Sequence, residues 1–157
     1  MPSANGRPTP RPSRTKKARI GPRELGIDLT AGSDAEVFKW LIACQLFGER
    51  ISQEVAAGTF RELDRAGFTT PGKLADADWQ AVVDALGRGG YRRYDESTAR
   101  ELICIGKYLL EHYNGSMKSW RRQADSAITI AKKAQEFKGV GPKAAEIFVR
   151  ELKGVWT

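Results

Sequence analysis

The chain has 157 residues, 41% of them hydrophobic and 29% charged, the proportions of one ordinary globular domain. No apolar run approaches the length of a bilayer span, and the basic, proline-rich opening has no apolar stretch behind it. Neither membrane insertion nor secretion is therefore expected, and the expected compartment is cytoplasmic.

The net charge of +7 points to a polyanionic partner because of where the excess lies. Residues 1–23 carry Arg7, Arg11, Arg14, Lys16, Lys17, Arg19 and Arg23 and no acid. From Glu24 onward 19 basic residues face 19 acidic ones, as 10 against 15 over residues 24–115 and 9 against 4 over residues 116–157. A neutral body with one basic end suits a protein that presents a single face to a polyanion.

In chain order, residues 1–23 hold five of the seven prolines and too little apolar surface to offset the entropy of ordering. They are predicted to form a disordered basic tail, with 24–157 as the folded domain. Such a tail is either a sequence-blind arm on phosphates or a solvated extension. Ser33 and Glu36 have the spacing of a capping box. Behind them Val37, Phe38, Leu41, Ile42, Ala43, Cys44 and Leu46 make a wide apolar surface, which predicts a buried central helix ended by Gly48. Ser52 is placed to cap the next helix, with Gly67 as its stop, and Thr70-Pro71 reads as an N-cap followed by proline in the first helical position.

Further helices are predicted over about 77–86, from a capping Asp95 to Tyr113, around 117–123, over about 125–137 and from Pro142. Gly87, Gly89 and Gly90 break the pattern in a loop. No segment alternates with period two between turn residues, so the predicted fold is all-α, a compact bundle of short helices. Trp40 and Trp79 fall on apolar faces. Cys44 and Cys104 sit in apolar helical patterns and read as small buried hydrophobes. The single histidine, His112, reads as a surface or half-buried residue, and no metal site is expected.

The most specific signal is the run from Ala134 to Val149. One helix stops at Lys138, a Gly139-Val140-Gly141 turn follows, and a second helix starts with Pro142. The glycines admit tight or left-handed backbone, and Val140 is expected to point inward and pin the two helices. The amides of the turn and of the new helix's first residues, Ala144 included, lack intrahelical partners. With the positive end of the helix dipole they make a phosphate seat, flanked by the charges of Lys138 and Lys143.

Ala134, Phe137, Gly139, Val140, Gly141, Ala145, Phe148 and Val149 resemble the helix-hairpin-helix motif at its apolar and glycine positions, with the motif spanning 126–153. Upstream, the run from Leu41 to Arg50 is similar to an early buried helix of the endonuclease III-like DNA glycosylases. The Gly90–Arg100 stretch and the helix end from Leu109 to Gly115 are similar to that family's middle section. The likeness covers roughly residues 36–153. It implies an endonuclease III-like core that binds double-stranded DNA, abasic or damaged, in base-excision repair.

In the family's bifunctional members a lysine at the place of Lys143 attacks the sugar and forms a Schiff base. The same lysine beside a phosphate seat can equally serve only to bind phosphate. The family's aspartate lies beyond the second helix of the hairpin, and this sequence reaches Thr157 before such a position. Glu146 and Glu151 are on the last helix, and nothing in the sequence places either in a pocket. The resemblance thus leaves open an abasic-site lyase with Lys143 as nucleophile and a non-catalytic DNA-binding module. The four-cysteine iron–sulfur loop that some members carry is absent, so no iron–sulfur cluster or other cofactor is expected, while a monovalent cation at the hairpin is admitted. Glu49-Arg50 and Tyr91-Arg92-Arg93 match places where the family inserts wedge residues into duplex, although arginines and a tyrosine in such a loop are also ordinary solvated surface. Trp120-Arg121-Arg122 reads as a helix edge packing its indole, with contact to DNA as the alternative.

Overall fold

The computed structural model describes residues 19–156, so the tail expected over residues 1–23 lies mostly outside the described residues. Eight helices follow a 3-10 turn at Arg23–Leu25: α1 (Asp34–Phe47), α2 (Gln53–Arg65), α3 (Pro71–Ala75), α4 (Trp79–Arg88), α5 (Asp95–Tyr113), α6 (Met117–Arg121), α7 (Ala127–Ala134) and α8 (Pro142–Arg150). There is no strand among the described residues, and no described helix is long and apolar enough to cross a membrane. The fold is all-α, as the periodicity indicates.

Six of these helices begin where a short polar side chain turns back onto a free backbone amide. Ser33, Ser52, Thr70, Asp78, Ser116 and Ser126 cap α1, α2, α3, α4, α6 and α7 in this way. The capping box expected at Ser33 and Glu36 is only half formed. Ser33 Oγ accepts from the Glu36 amide, but the Glu36 carboxylate accepts from the Asp28 amide at 2.8 Å and ties the N-terminal segment to α1 instead. A reciprocal box does form at the start of α7, between Ser126 and Thr129. Asp95 does not cap α5. The position before it, Tyr94, takes a left-handed conformation (φ +66°), and α5 starts without a side-chain cap. Gly87 lies inside α4, whose C-cap is Gly89, and α7 closes at Ala134, earlier than the expected 137.

The folded region also starts before Glu24. The Ile20 amide donates to Gln53 Oε1 at 2.8 Å, Pro22 is buried, and its carbonyl receives the Leu25 and Ile27 amides. Leu25, Ile27 and Leu29 then bury alternate side chains against the helices. Each such side chain contributes roughly 1.5–3 kcal/mol, which composition averaged over the proline-rich opening conceals.

Helix α1 runs through the centre. It is buried on nearly every side and packs against α2, α6 and α8. On one flank α4 and α5 close over α2 and α3, and α5 crosses α3 closely enough that a Cβ on Gly106 would lie 2.8 Å from Leu74 Cβ. On the other flank an aromatic cluster joins α6 to the C-terminal helices, with Trp120 5.1 Å from Phe137 and 6.3 Å from Phe148 between ring centroids. Trp40 of α1 donates its indole N–H to the Phe148 carbonyl at 3.2 Å, which fixes α8 on the central helix. Trp79 is half-buried and donates to the Glu96 carbonyl, and His112 is exposed against Tyr108. Cys44 is buried, and burial pushes its thiol well above the usual range. Cys104 is exposed, contrary to the expectation, because the apolar stripe of α5 passes through Leu102, Ile105 and Leu109 and leaves position 104 on the outer face.

Candidate functional site

The connection between α7 and α8 is held rigidly from behind. Glu136 accepts from the Trp120 indole N–H (2.8 Å) and pairs with Lys133 (3.1 Å), and Lys133 also donates to the Tyr113 hydroxyl (2.9 Å). Burial disfavours the Lys133 ammonium, but Tyr113 and Glu136 more than compensate and hold its pKa above the usual value. Burial, followed by Glu136, drives the neighbouring Tyr108 hydroxyl upward. From this brace the chain passes through buried Phe137 and exposed Lys138 to the turn itself.

Gly139 adopts φ +83°. A side chain there would be strained and would also collide, since a Cβ would lie 2.5 Å from Glu101 Oε1 and 2.8 Å from Gln45 Nε2. Val140 is buried, as its expected inward orientation requires, and its amide closes on the Phe137 carbonyl at 3.1 Å. Gly141 is extended and serves as N-cap of α8 with no side chain to offer. The first amide taken up inside α8 is that of Ala145, which donates to the Gly141 carbonyl at 3.0 Å. Those of Gly141, Lys143 and Ala144 have no protein partner among the described residues. Open donors, the positive end of the helix dipole and two exposed lysines, Lys138 and Lys143, thus meet at one turn.

Ala144 contributes only its amide. Its side chain is buried against the end of α1, where a Cβ on Gly48 would come within 2.9 Å of Ala144 Cβ. This close approach sets the start of α8 beside the residues that follow α1 and produces two adjoining clefts, both lined by Ile51.

The first cleft, of about 290 Å³, has Phe47, Ile51 and Ile147 in its wall and Arg19, Lys143, Glu146 and Arg150 around them. The second, of about 470 Å³, brings Glu49 and Arg50 together with Tyr91, Arg93 and Tyr94. Sequence reasoning named four of these five. Arg92 is exposed but turns back toward α4, with its guanidinium 3.7 Å from where a Gly87 Cβ would stand.

The expectation for Tyr91 as a wedge needs correction. Only 2% of it is exposed, and its hydroxyl shares a 2.8 Å hydrogen bond with Thr98, so it packs the loop instead of projecting from it. The projecting aromatic is Tyr94, 61% exposed, with the Arg93 guanidinium 5.1 Å from its ring centre. Glu49 is half-buried; burial first and the Glu101 carboxylate second raise its pKa above the ordinary value. Burial also raises Tyr91, against the Thr98 hydrogen bond and with help from Glu49, Glu101 and Asp95.

Gln45 is fully buried, donates to Glu101 Oε1 at 3.0 Å and leaves its own Oε1 without a partner. Neither Gln45 nor Glu101 carries a local signal that could place it behind Gly139. Glu146 and Arg150 did carry one, since they stand three and seven positions after Lys143 and so share a helix face. Among the described residues no group of three or more His, Cys, Asp or Glu is close enough to hold a metal ion. Compared with protein-family profiles and with curated protein sequences, the chain matches none.

Proposed function

We propose that this protein binds double-stranded DNA through a helix-hairpin-helix formed by α7, the Gly139-Val140-Gly141 turn and α8. We further propose that it cleaves abasic sites with Lys143 as an amine nucleophile, on an endonuclease III-like core acting on DNA in the cytoplasm. The observation that carries the reading is the uncapped start of α8, with open amides between exposed Lys138 and Lys143. A backbone phosphate supplies what that turn lacks, several acceptor oxygens and negative charge at a helix N-terminus. Duplex affinity of this kind is sequence-blind and falls steeply with salt.

Lyase chemistry is favoured over removal of an intact base by the position of Lys143. It borders a cleft of about 290 Å³ that also holds charged partners and an apolar wall, a size suited to a sugar-phosphate. An abasic sugar already presents an aldehyde, so an amine can condense with it without breaking a glycosidic bond.

Borohydride trapping on a duplex with one abasic site tests the reading, with wild type and Lys143→Gln side by side. The expected result is a covalent adduct with wild type and none with the variant, both keeping salt-sensitive duplex binding. Binding without any adduct would leave a non-catalytic DNA-holding module. Absence of duplex binding would overturn the proposal outright.

A further inference from the structure

Glu146 stands one helical turn after Lys143, and both line the same cleft of about 290 Å³, with Phe47 and Ile51 in its wall and Arg19 and Arg150 beside them. The carboxylate is exposed and, among the described residues, has neither a hydrogen bond nor an ion pair. Arg150 is partly engaged by Glu151 at 3.6 Å, whereas Glu146 is left to the cleft. The other nearby carboxylate, Glu49, opens on the adjoining cleft beyond Ile51.

An amine and an unengaged carboxylate on one wall, with guanidinium groups close by, are the groups that an elimination next to a phosphate ester calls for. We propose that Glu146 is a second catalytic residue, the base that removes the C2′ proton of an abasic sugar held as a Schiff base on Lys143. This inference rests on the lyase reading above.

The steps balance without any oxidant or reductant. The Lys143 amine adds to the C1′ aldehyde and, with one proton taken from solvent and given back at the final hydrolysis, water leaves to give an iminium between C1′ and Nζ. The iminium draws electrons from C2′, and Glu146 accepts the C2′ proton. The pair from the C2′–H bond becomes a C2′=C3′ double bond as the C3′–O bond breaks. The phosphate departs on the 5′ end of the downstream strand, its charge facing Arg19 and Arg150. Water then hydrolyses the conjugated iminium, freeing an unsaturated aldehyde and restoring the Lys143 amine, and Glu146 returns its proton to solvent.

The proposal separates covalent capture from strand scission, and single-turnover assays on an abasic duplex read both. Five full-length proteins are compared: wild type, Lys143→Gln, Glu146→Gln, Glu146→Asp and Glu111→Gln. Lys143→Gln is expected to lose adduct and nick together. Glu146→Gln should trap as wild type does while its nicking rate falls by about 10²-fold or more, the usual contribution of a general base. Glu146→Asp should recover part of that rate, and Glu111→Gln, an exposed carboxylate outside both clefts, should keep both readouts. Trapping and nicking at wild-type levels in Glu146→Gln would overturn the assignment. Loss of the adduct in Glu146→Gln would also overturn it, by making Glu146 a positioning residue for Lys143. Wild type that neither traps nor nicks would instead overturn the lyase reading beneath it.

Discussion

Helices α3 and α8 both begin with proline, and both carry a lysine in the first turn, Lys73 and Lys143. They differ in the residue before the proline. Thr70 turns its hydroxyl onto the Lys73 amide at 3.2 Å and closes the helix end against its own chain. Gly141 has no side chain to turn, and the α8 amides stay open. Their backing differs too. Both connections pass through a left-handed glycine, Gly67 at φ +87° and Gly139 at φ +83°, but a Cβ on Gly67 would meet nothing within 4 Å, whereas one on Gly139 would run into Glu101 and Gln45. A start signal shared by two helices thus produces a structural joint in one and an available anion seat in the other, and the cap decides which.

The largest effect is expected where the brace meets the turn. Gly139→Val forces a branched side chain into a left-handed conformation and into Glu101 and Gln45. The unfolding free energy in urea should fall by at least about 2 kcal/mol, with duplex affinity lost alongside it. A variant as stable as wild type would show that the turn relaxes freely and is not pre-formed.

Exchanging the caps sharpens the comparison further. Gly141 is already extended (φ −94°, ψ −171°), and a Cβ there meets nothing within 4 Å, so Gly141→Ser can adopt the cap of the other helices. Its hydroxyl would occupy the Ala144 amide. Stability should rise by a few tenths of a kcal/mol, while duplex affinity drops by roughly five- to tenfold as a phosphate loses a donor. Thr70→Gly should do the opposite to stability and nothing to affinity. Affinity unchanged in Gly141→Ser, measured by fluorescence anisotropy, would mean that the amides do not hold DNA.

The smallest effect concerns pH. Burial and Glu101 hold the Glu49 carboxyl above its ordinary pKa, so its contribution to stability is present at low pH and lost as pH rises through its folded pKa. A nearby phosphate favours the protonated form still more. Duplex affinity should therefore rise modestly as pH falls through the raised Glu49 pKa, and Glu49→Gln should flatten part of that rise. Arg50 and Arg93 line the same cleft as Glu49.

Much of this was legible in the sequence, for identifiable reasons. Helix positions follow from apolar spacing and cap chemistry, which are local, so Ser52, Thr70 and Pro142 mark their helices correctly. The turn at Gly139 is likewise written in adjacent residues. Local chemistry misleads where two partners compete. Glu36 is drawn to the Asp28 amide instead of its own N-cap, and Tyr91 and Tyr94 look alike until Thr98 takes the Tyr91 hydroxyl. Long-range placement is illegible: Gln45 and Glu101 are 56 positions apart and meet only because α1 and α5 converge behind Gly139. The burial of Leu25, Ile27 and Leu29 was hidden by their closeness to a basic, proline-rich stretch.

The most direct test of the α8 turn as a DNA-backbone seat is duplex affinity measured against salt, for wild type and for a Lys138→Ala/Lys143→Ala double variant. Each phosphate contact contributes a slope of about −0.9 to log affinity against log salt, so removing both lysines should make the slope shallower by about 2. An unchanged slope in the double variant, or wild-type affinity indifferent to salt, would contradict the account.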